Sequence, residues 1–141
     1  MPAPESHNVQ VVRALTRAVS ERRFGEVRQY LHDECVVDVP YQAFFQGPMR
    51  RGGQGIAEGF AFIPQVFSKF VLTLTEIYDC PRQNAVVFEQ VSSGVLAATG
   101  DEFANRYLMI LGFRDGKVVL WREYFNPETM NTLMAPLLAF S

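Results

Sequence analysis

An α+β fold, with helices packed on one face of a curved antiparallel sheet, is what this 141-residue chain predicts. Three patterns carry the expectation. Up to Ser68 the apolar residues recur at helical spacing. Beyond it they alternate or run continuously, as strands do. The stretch Asn105 to Asn126 reads as two long strands joined by Asp115-Gly116, a pair suited to a two-residue hairpin turn. Helices first and strands after is an α+β order, here in one domain spanning 1–141.

Taken in order, residues 1–5 hold two prolines and predict a loose tail. Ser6 is placed to cap a helix whose stripe is Val9, Val12, Leu15 and Val19, with Arg13, Arg17 and Glu21 off the stripe. Phe24, Val27 and Leu31 repeat the spacing in a shorter second helix. Cys35 to Val39 is a β-prone run stopped by Pro40, and Asp38 is out of character within it. The glycine-rich segment Tyr41 to Gly55 predicts a long loop, of the kind that rims pockets. A third helix presents Ile56, Phe60, Ile63 and Phe67, and Pro64 ends or bends it. Strands are expected at about 69–79, 84–97, 102–113 and 117–126, with turns at Pro81 to Asn84 and Thr99 to Asp101. Pro127 stops the last strand, and Glu128 to Leu138 reads as a short helix or an apolar tail.

Composition narrows the function. Apolar residues make up 48% of the chain and twelve residues are Phe, which suits a packed core. A net charge of -2 with no basic stripe gives no reason to expect nucleic acid. No apolar run reaches the ~20 residues of a membrane span, and the N-terminus lacks the pattern of a secretion signal. Cys35 and Cys80 are far apart and form no CxxC pair, so two buried thiols in a reducing cytoplasm are expected in preference to a disulfide. His7 and His32 share no spacing with acids or cysteines, and phosphate-loop, nucleophile-elbow and zinc motifs are missing. The expectation is a protein without metal or cofactor.

Alternation along the last strand puts Val119, Trp121, Glu123 and Phe125 on one face and Leu120, Arg122 and Tyr124 on the other. Arg122 suits a wet rim or an interface, so the Glu123 face is assigned to an enclosed cavity. The same reasoning turns Asn105, Tyr107, Met109 and Leu111 inward, and sets Phe88, Gln90 and Ser92 on a shared face. A carboxylate walled by Trp121 and Phe125 is desolvated, which raises its pKa toward the range a general acid or base needs. The structural alternative is an ion pair, for which the neighbouring Arg122 points the wrong way. Asp38 is the second acid candidate. If it shares the cavity, mutual repulsion would keep one of the two carboxyls protonated. Its alternative is a solvated strand end. Tyr107, Asn105 and Gln90 are neutral groups fit to orient a ligand or a water, or simply to satisfy one another in the core. Trp121, Phe125 and Phe88 are the expected apolar walls.

With these residues in place, the chain resembles the SnoaL-like branch of the nuclear-transport-factor-2-like (NTF2-like) superfamily. The element order and the segment from Phe113 to Pro127, F-R-D-G-K-V-V-L-W-R-E-Y-F-N-P, carry the resemblance. It implies a cone-shaped, strongly curved antiparallel sheet around a deep pocket with three helices, and a homodimer. Limonene-epoxide-hydrolase-like proteins carry W-R-D-Y-F in the last strand, with the Asp activating water; Glu123 falls on that position. Phenazine-biosynthesis A/B-like proteins carry R-E-F-x-N, with the Glu as acid/base, which Arg122 to Asn126 matches in residue type. By the same resemblance Asp38 falls near a water-holding Asn and Tyr107 on a pocket wall. The hydrolases' Arg-x-Asp pair is replaced here by Gln90 and Ser92, so their epoxide-protonating acid is missing. Two functions stay open: a cofactor-independent acid/base enzyme of isomerase, cyclase or hydrolase type acting through Glu123 on an apolar, cyclic or polyketide-like molecule, or a binding or dimerisation domain that kept the pocket without the chemistry. A homodimer through the outer sheet face is expected, with Leu120, Tyr124 and Ile110 at its centre.

Overall fold

The structure is a computed structural model that describes residues 4–41, 49–50, 52–129 and 131–132. Helix α1 (His7–Ser20) starts where Ser6, in extended conformation, accepts a hydrogen bond from the Val9 amide at 3.2 Å. Its buried face carries Val9, Val12, Leu15 and Val19, as the helical spacing demands. The second helical pattern becomes a 3-10 segment, Phe24–Tyr30, rather than an α-helix. Leu31 is drawn into strand β1 (Leu31–Asp38), opposite Val118.

The third helix is two pieces, α2 (Gly52–Phe60) and α3 (Ile63–Val66). Pro64 explains the break: it has no amide hydrogen and its ring would strike the carbonyl four residues earlier, that of Phe60. Phe67, expected on this helix, instead opens strand β3 (Phe67–Cys80). Strands β4 (Ala85–Leu96), β5 (Glu102–Arg114) and β6 (Lys117–Phe125) follow within one residue of their expected limits. At the β5–β6 turn Asp115 and Gly116 have φ of 54° and 76°, the paired left-handed conformations of a two-residue hairpin turn. Most of the Tyr41–Gly55 loop, and the expected tail beyond Thr132, lie outside the described residues.

Together with the two-residue β2 (Met49–Arg50), the strands form one six-stranded sheet in the order β2-β1-β6-β5-β4-β3. The sheet is mixed rather than wholly antiparallel, because β1 runs parallel to β6. Leaving β1, the chain passes through the α2–α3 segment before entering β3 at the far edge, so β1 can lie beside the final strand without a tight turn. The inner faces of β4, β5 and β6 meet α1, α2 and the 3-10 segment in one core centred on Val12, Leu31, Val86, Met109 and Leu111.

Of the four register shifts in the sheet, two lie within its long antiparallel pairings rather than at the first paired residue. One interrupts the β3–β4 register between Leu74 and Glu76, where the Thr75 hydroxyl bonds the Glu89 carbonyl. The other lies between Gly112 and Phe113 opposite Val118 and Leu120. The second corrects the inner-face assignment of β6: Val118, fully buried, joins Trp121 inside, and Val119 is the inserted residue. Past the bulge the alternation holds for Trp121, Glu123 and Phe125.

Candidate functional site

Glu123 lies on β6 opposite Met109 of β5. Its carboxyl stands at a wall shared by two hollows. The first, of about 270 Å³, is lined by Phe60, Phe62, Phe67, Phe70 and Phe103, with Gln90, Tyr107, Trp121 and Glu123 among its other walls. The second, of about 360 Å³, is bounded by Val37, Ile56, Phe60, Ile63, Trp121 and Glu123. Gly59 borders both hollows, and Phe60 packs edge-on against Trp121 with ring centres 5.3 Å apart. The lining is apolar except at a few points, the usual make-up of a small-molecule site.

Burial sets the electrostatics of Glu123. Its dense surroundings push its pKa up by desolvation, while a hydrogen bond from Trp121 Nε1 to Oε1, at 2.6 Å, opposes the shift. Alternation makes this bond possible, since residues two apart in a strand share a face. Among the described residues no cation stands within ion-pairing distance of the Glu123 carboxyl. Although closely surrounded, the residue remains partly reachable from the hollows.

Asp38 is elsewhere. It is buried and accepts a hydrogen bond from Arg122 Nε at 2.8 Å, across the parallel β1–β6 pairing. Arg122 faces away from Glu123, and Asp38 lines neither hollow. The two carboxyls therefore have no shared space in which to divide proton donation and acceptance. Nor is Asp38 a solvated strand end: it anchors Arg122 on the outer side of the sheet.

Of the neutral groups, Gln90 and Tyr107 line the first hollow, whereas Asn105, expected to meet a ligand, and Ser92 are buried on β5 and β4 and line neither hollow. Gln90 pairs with Tyr107 and Ser92 with Asn105 in the antiparallel register. Ser92 Oγ and the Tyr107 hydroxyl are 2.8 Å apart. Burial pushes the Tyr107 phenol up to about 12; the bond to Ser92 counters this, the Glu123 charge adds to it, and the Asn105 amide counters it again. Gln90 Oε1 and Asn105 Nδ2 are buried without partners among the described residues. Phe125 is buried and meets Tyr107 edge-on at 6.1 Å, behind the cavity rather than on its lining. Phe88 is packed into the main core and also lines neither hollow.

Sequence reasoning set Ser92 on the face of Phe88 and Gln90 without giving it a role, and it passed over most of the phenylalanine wall. Phe60 and Phe67 were legible as an apolar face, but only as core. Phe103 shares the two-residue period of Asn105 and Tyr107, a signal that would have placed it. Elsewhere, the hollow between Ser6 to Arg13 and Thr75 to Asp79 is rimmed by exposed polar groups, including the Glu5–Arg13 ion pair, and meets no buried acid. Among the described residues there is no group of three or more His, Cys, Asp and Glu able to hold a metal. Cys35 is buried, with its thiol pushed up to about 12 by burial, whereas Cys80 is only partly buried; both are free.

An open mixed sheet with helices packed on its inner side is the NTF2-like fold. The chain belongs to the SnoaL-like domain family, whose model matches residues 12–121. Among curated relatives, it is 24% identical over 95 residues to the uncharacterized protein YesE of Bacillus subtilis, a match covering 67% of this chain and 65% of that one. It is 25% identical over 96 residues to an uncharacterized PhzA/B-like protein of Pseudomonas aeruginosa, covering 68% and 67%. The chain thus spans about two thirds of the length of these relatives. Solved structures with the same fold include a proposed isomerase from Bacillus subtilis, at TM-score 0.77 and 20% identity, covering 92% and 93% of the two chains. An epoxide hydrolase of limonene-epoxide-hydrolase-like type from M. tuberculosis aligns at TM-score 0.72 and 20% identity, covering 96% and 97%. IdmH, a proposed polyketide cyclase from Streptomyces antibioticus, aligns at 0.73 and 18%, covering 92% and 99%.

Proposed function

We propose that this protein is a cofactor-independent acid/base enzyme of isomerase, cyclase or hydrolase type, in which Glu123 moves a proton on an apolar, cyclic or polyketide-like small molecule. The observation that carries the reading is the position of the Glu123 carboxyl at the wall between two apolar hollows, with its pKa raised by burial and no ion-pair partner among the described residues. A structural glutamate is ordinarily paired or solvated; an unpaired one beside a cavity suits proton transfer. As a base, the ionised carboxylate takes a proton from a carbon beside a carbonyl or from a water, and returns it as the acid in a second step. Trp121 Nε1 holds one oxygen, and the other has no hydrogen-bond partner among the described residues, so it is the one to meet the ligand. Phe60, Phe67 and Phe103 supply the apolar wall.

One observation favours a second reading, that of a non-catalytic binder. Gln90 and Ser92 stand on β4 where the hydrolase pattern has a charged pair, so a cation–carboxylate pair of that kind is lacking there. A panel of cyclic ketones and epoxides in deuterated buffer separates the two. The enzyme reading expects deuterium incorporation beside the carbonyl, or ring-opened product, falling by about 10²-fold or more in Glu123→Gln. Equal turnover in wild type and Glu123→Gln would remove the assignment. The outer sheet face, where Ile110, Leu120 and Tyr124 are half-buried and Leu108 exposed, supports the proposal of a homodimer.

A further inference from the structure

The two hollows beside Glu123 share one wall. Gly59, Phe60, Ile63, Trp121 and Glu123 border both. The large members of that wall are the Phe60 and Trp121 rings, which meet edge-on with centres 5.3 Å apart. Trp121 is firmly held: it is 8% exposed, sits on a central strand and donates its indole N–H to Glu123. Phe60 has less support. It is half-buried and ends α2, and Pro64, four residues on, has no amide to bond its carbonyl. Its ring is therefore the part of the divider whose removal leaves the sheet intact.

Gly59 supplies a second, independent observation. It lies in the last turn of α2, where glycine is a poor helix former, and its φ is not left-handed. A Cβ built there would meet no atom of the described residues within 4 Å. Neither backbone conformation nor crowding calls for glycine, and most other residues would strengthen the helix. A side chain at this exposed position would enter the space that both hollows border. Volume gives the scale. A hollow of about 270 Å³ is at the small end of ligand sites and takes roughly a dozen non-hydrogen atoms. Joined to the second, of about 360 Å³, it would take a molecule about twice as large.

We propose that Phe60 and Gly59 are specificity-determining residues that set the size of the ligand: the Phe60 ring closes the first hollow against the second, and the bare Gly59 keeps the shared rim open. The inference rests on the reading of the Glu123 hollow as a ligand site and narrows its ligand class, without depending on turnover. The ligand is a compact, largely apolar molecule of one ring or two fused rings, held in a single hollow. A molecule of two separate rings joined at a kink is too large while Phe60 is in place.

The test compares 4-isopropylphenol with bisphenol A, which contains the same ring and three-carbon centre and adds a second hydroxyphenyl ring. Trp121, the single tryptophan of the chain, borders both hollows, so its fluorescence reports either occupant, and calorimetric titration gives the affinities. Wild type is expected to bind 4-isopropylphenol at least as tightly as bisphenol A. In Phe60→Ala the order should reverse, with bisphenol A bound at least about tenfold more tightly, the worth of burying one more aromatic ring. A purely structural role for Phe60 would weaken both phenols alike. Gly59→Leu should weaken 4-isopropylphenol by at least about fivefold through crowding. Its melting temperature should hold or rise, because the helix gains a better former. If Phe60→Ala fails to fold, Gly59→Leu decides the point. The proposal is overturned by a wild-type preference for bisphenol A, by binding of neither phenol, by an order that does not reverse in folded Phe60→Ala, or by wild-type affinity in Gly59→Leu. A reversal in Phe60→Ala with no proton exchange in the wild type would keep this inference and remove the enzymatic one. Exchange lost in Glu123→Gln, in a protein that prefers bisphenol A, would do the opposite.

Discussion

Glu123 sits in desolvating surroundings with no cation beside it among the described residues, and that has a measurable thermodynamic consequence. Its folded pKa is raised, so between the ordinary glutamate value and the raised value the folded state binds more protons than the unfolded state. Stability contributed by the protonated form is therefore present at low pH and lost as pH rises through the raised pKa. Glu123→Gln keeps the shape and removes the charge. It should raise the melting temperature by a few degrees at pH 8, with the gain vanishing near pH 4, as thermal melts across that range would show. A gain that persisted at pH 4 would mean that the charge is not its source. Trp121→Phe tests the opposing contribution: without the indole N–H at Oε1, the acid limb of any pH–rate profile should move to higher pH. At this scale the sequence was informative about type and direction. Trp121, Glu123 and Phe125 share a face by simple alternation. The partner of Asp38 was less legible, because it depends on β1 lying parallel to β6, a pairing that no local pattern announces.

Among the elements, the β5–β6 hairpin sets the position of Glu123 relative to the floor made by β4 and β5. Its turn requires left-handed backbone at both central residues, and Gly116 adopts φ of 76° at no steric cost. The start of α1 rests on this turn, with His7 Nε2 bonded to the Gly116 carbonyl at 2.8 Å. Replacing Gly116 by Val should cost about 1–3 kcal/mol and lower the denaturant midpoint without changing the slope. An unchanged midpoint would show that the turn tolerates a different geometry. Strand limits were legible to within a few residues, because Pro81, Gly100 and Asp115-Gly116 punctuate them. The helices were less so. Pro64 signalled an interruption, but not that the chain would restart for a single turn and then hand Phe67 to β3. The bulge opposite Gly112 changed the inner-face residue from Val119 to Val118, since an inserted residue leaves composition and period intact while reversing the direction of everything on one side of it.

At the level of the whole molecule, the sheet has two unlike faces. The inner one is sealed by α1 and α2; the outer one carries Leu108, 40% exposed, beside the half-buried Ile110, Leu120 and Tyr124. The Asp38–Arg122 ion pair also lies on that side, and Tyr41 packs edge-on against Tyr124 at 5.5 Å. A homodimer through this face should sediment as two chains at micromolar concentration, and Leu108→Lys should shift it toward the single chain. A wild-type protein that sediments as a single chain would exclude it. Among the described residues no helix is long and apolar enough to cross a membrane, in keeping with the absence of an apolar run of that length.

The amino-acid sequence by itself determined the class of fold, the succession of its elements, the final hairpin and the inward direction of Glu123, because all of these follow from local periodicity and turn chemistry. Tertiary structure decided which polar groups meet. It paired Asp38 with Arg122 rather than with Glu123, set Ser92 against the Tyr107 hydroxyl, and closed phenylalanines from α2, β3 and β5 around one hollow. Such meetings depend on strand order, parallel pairing and bulges, which are fixed by long-range packing and leave no trace in the spacing of neighbouring residues.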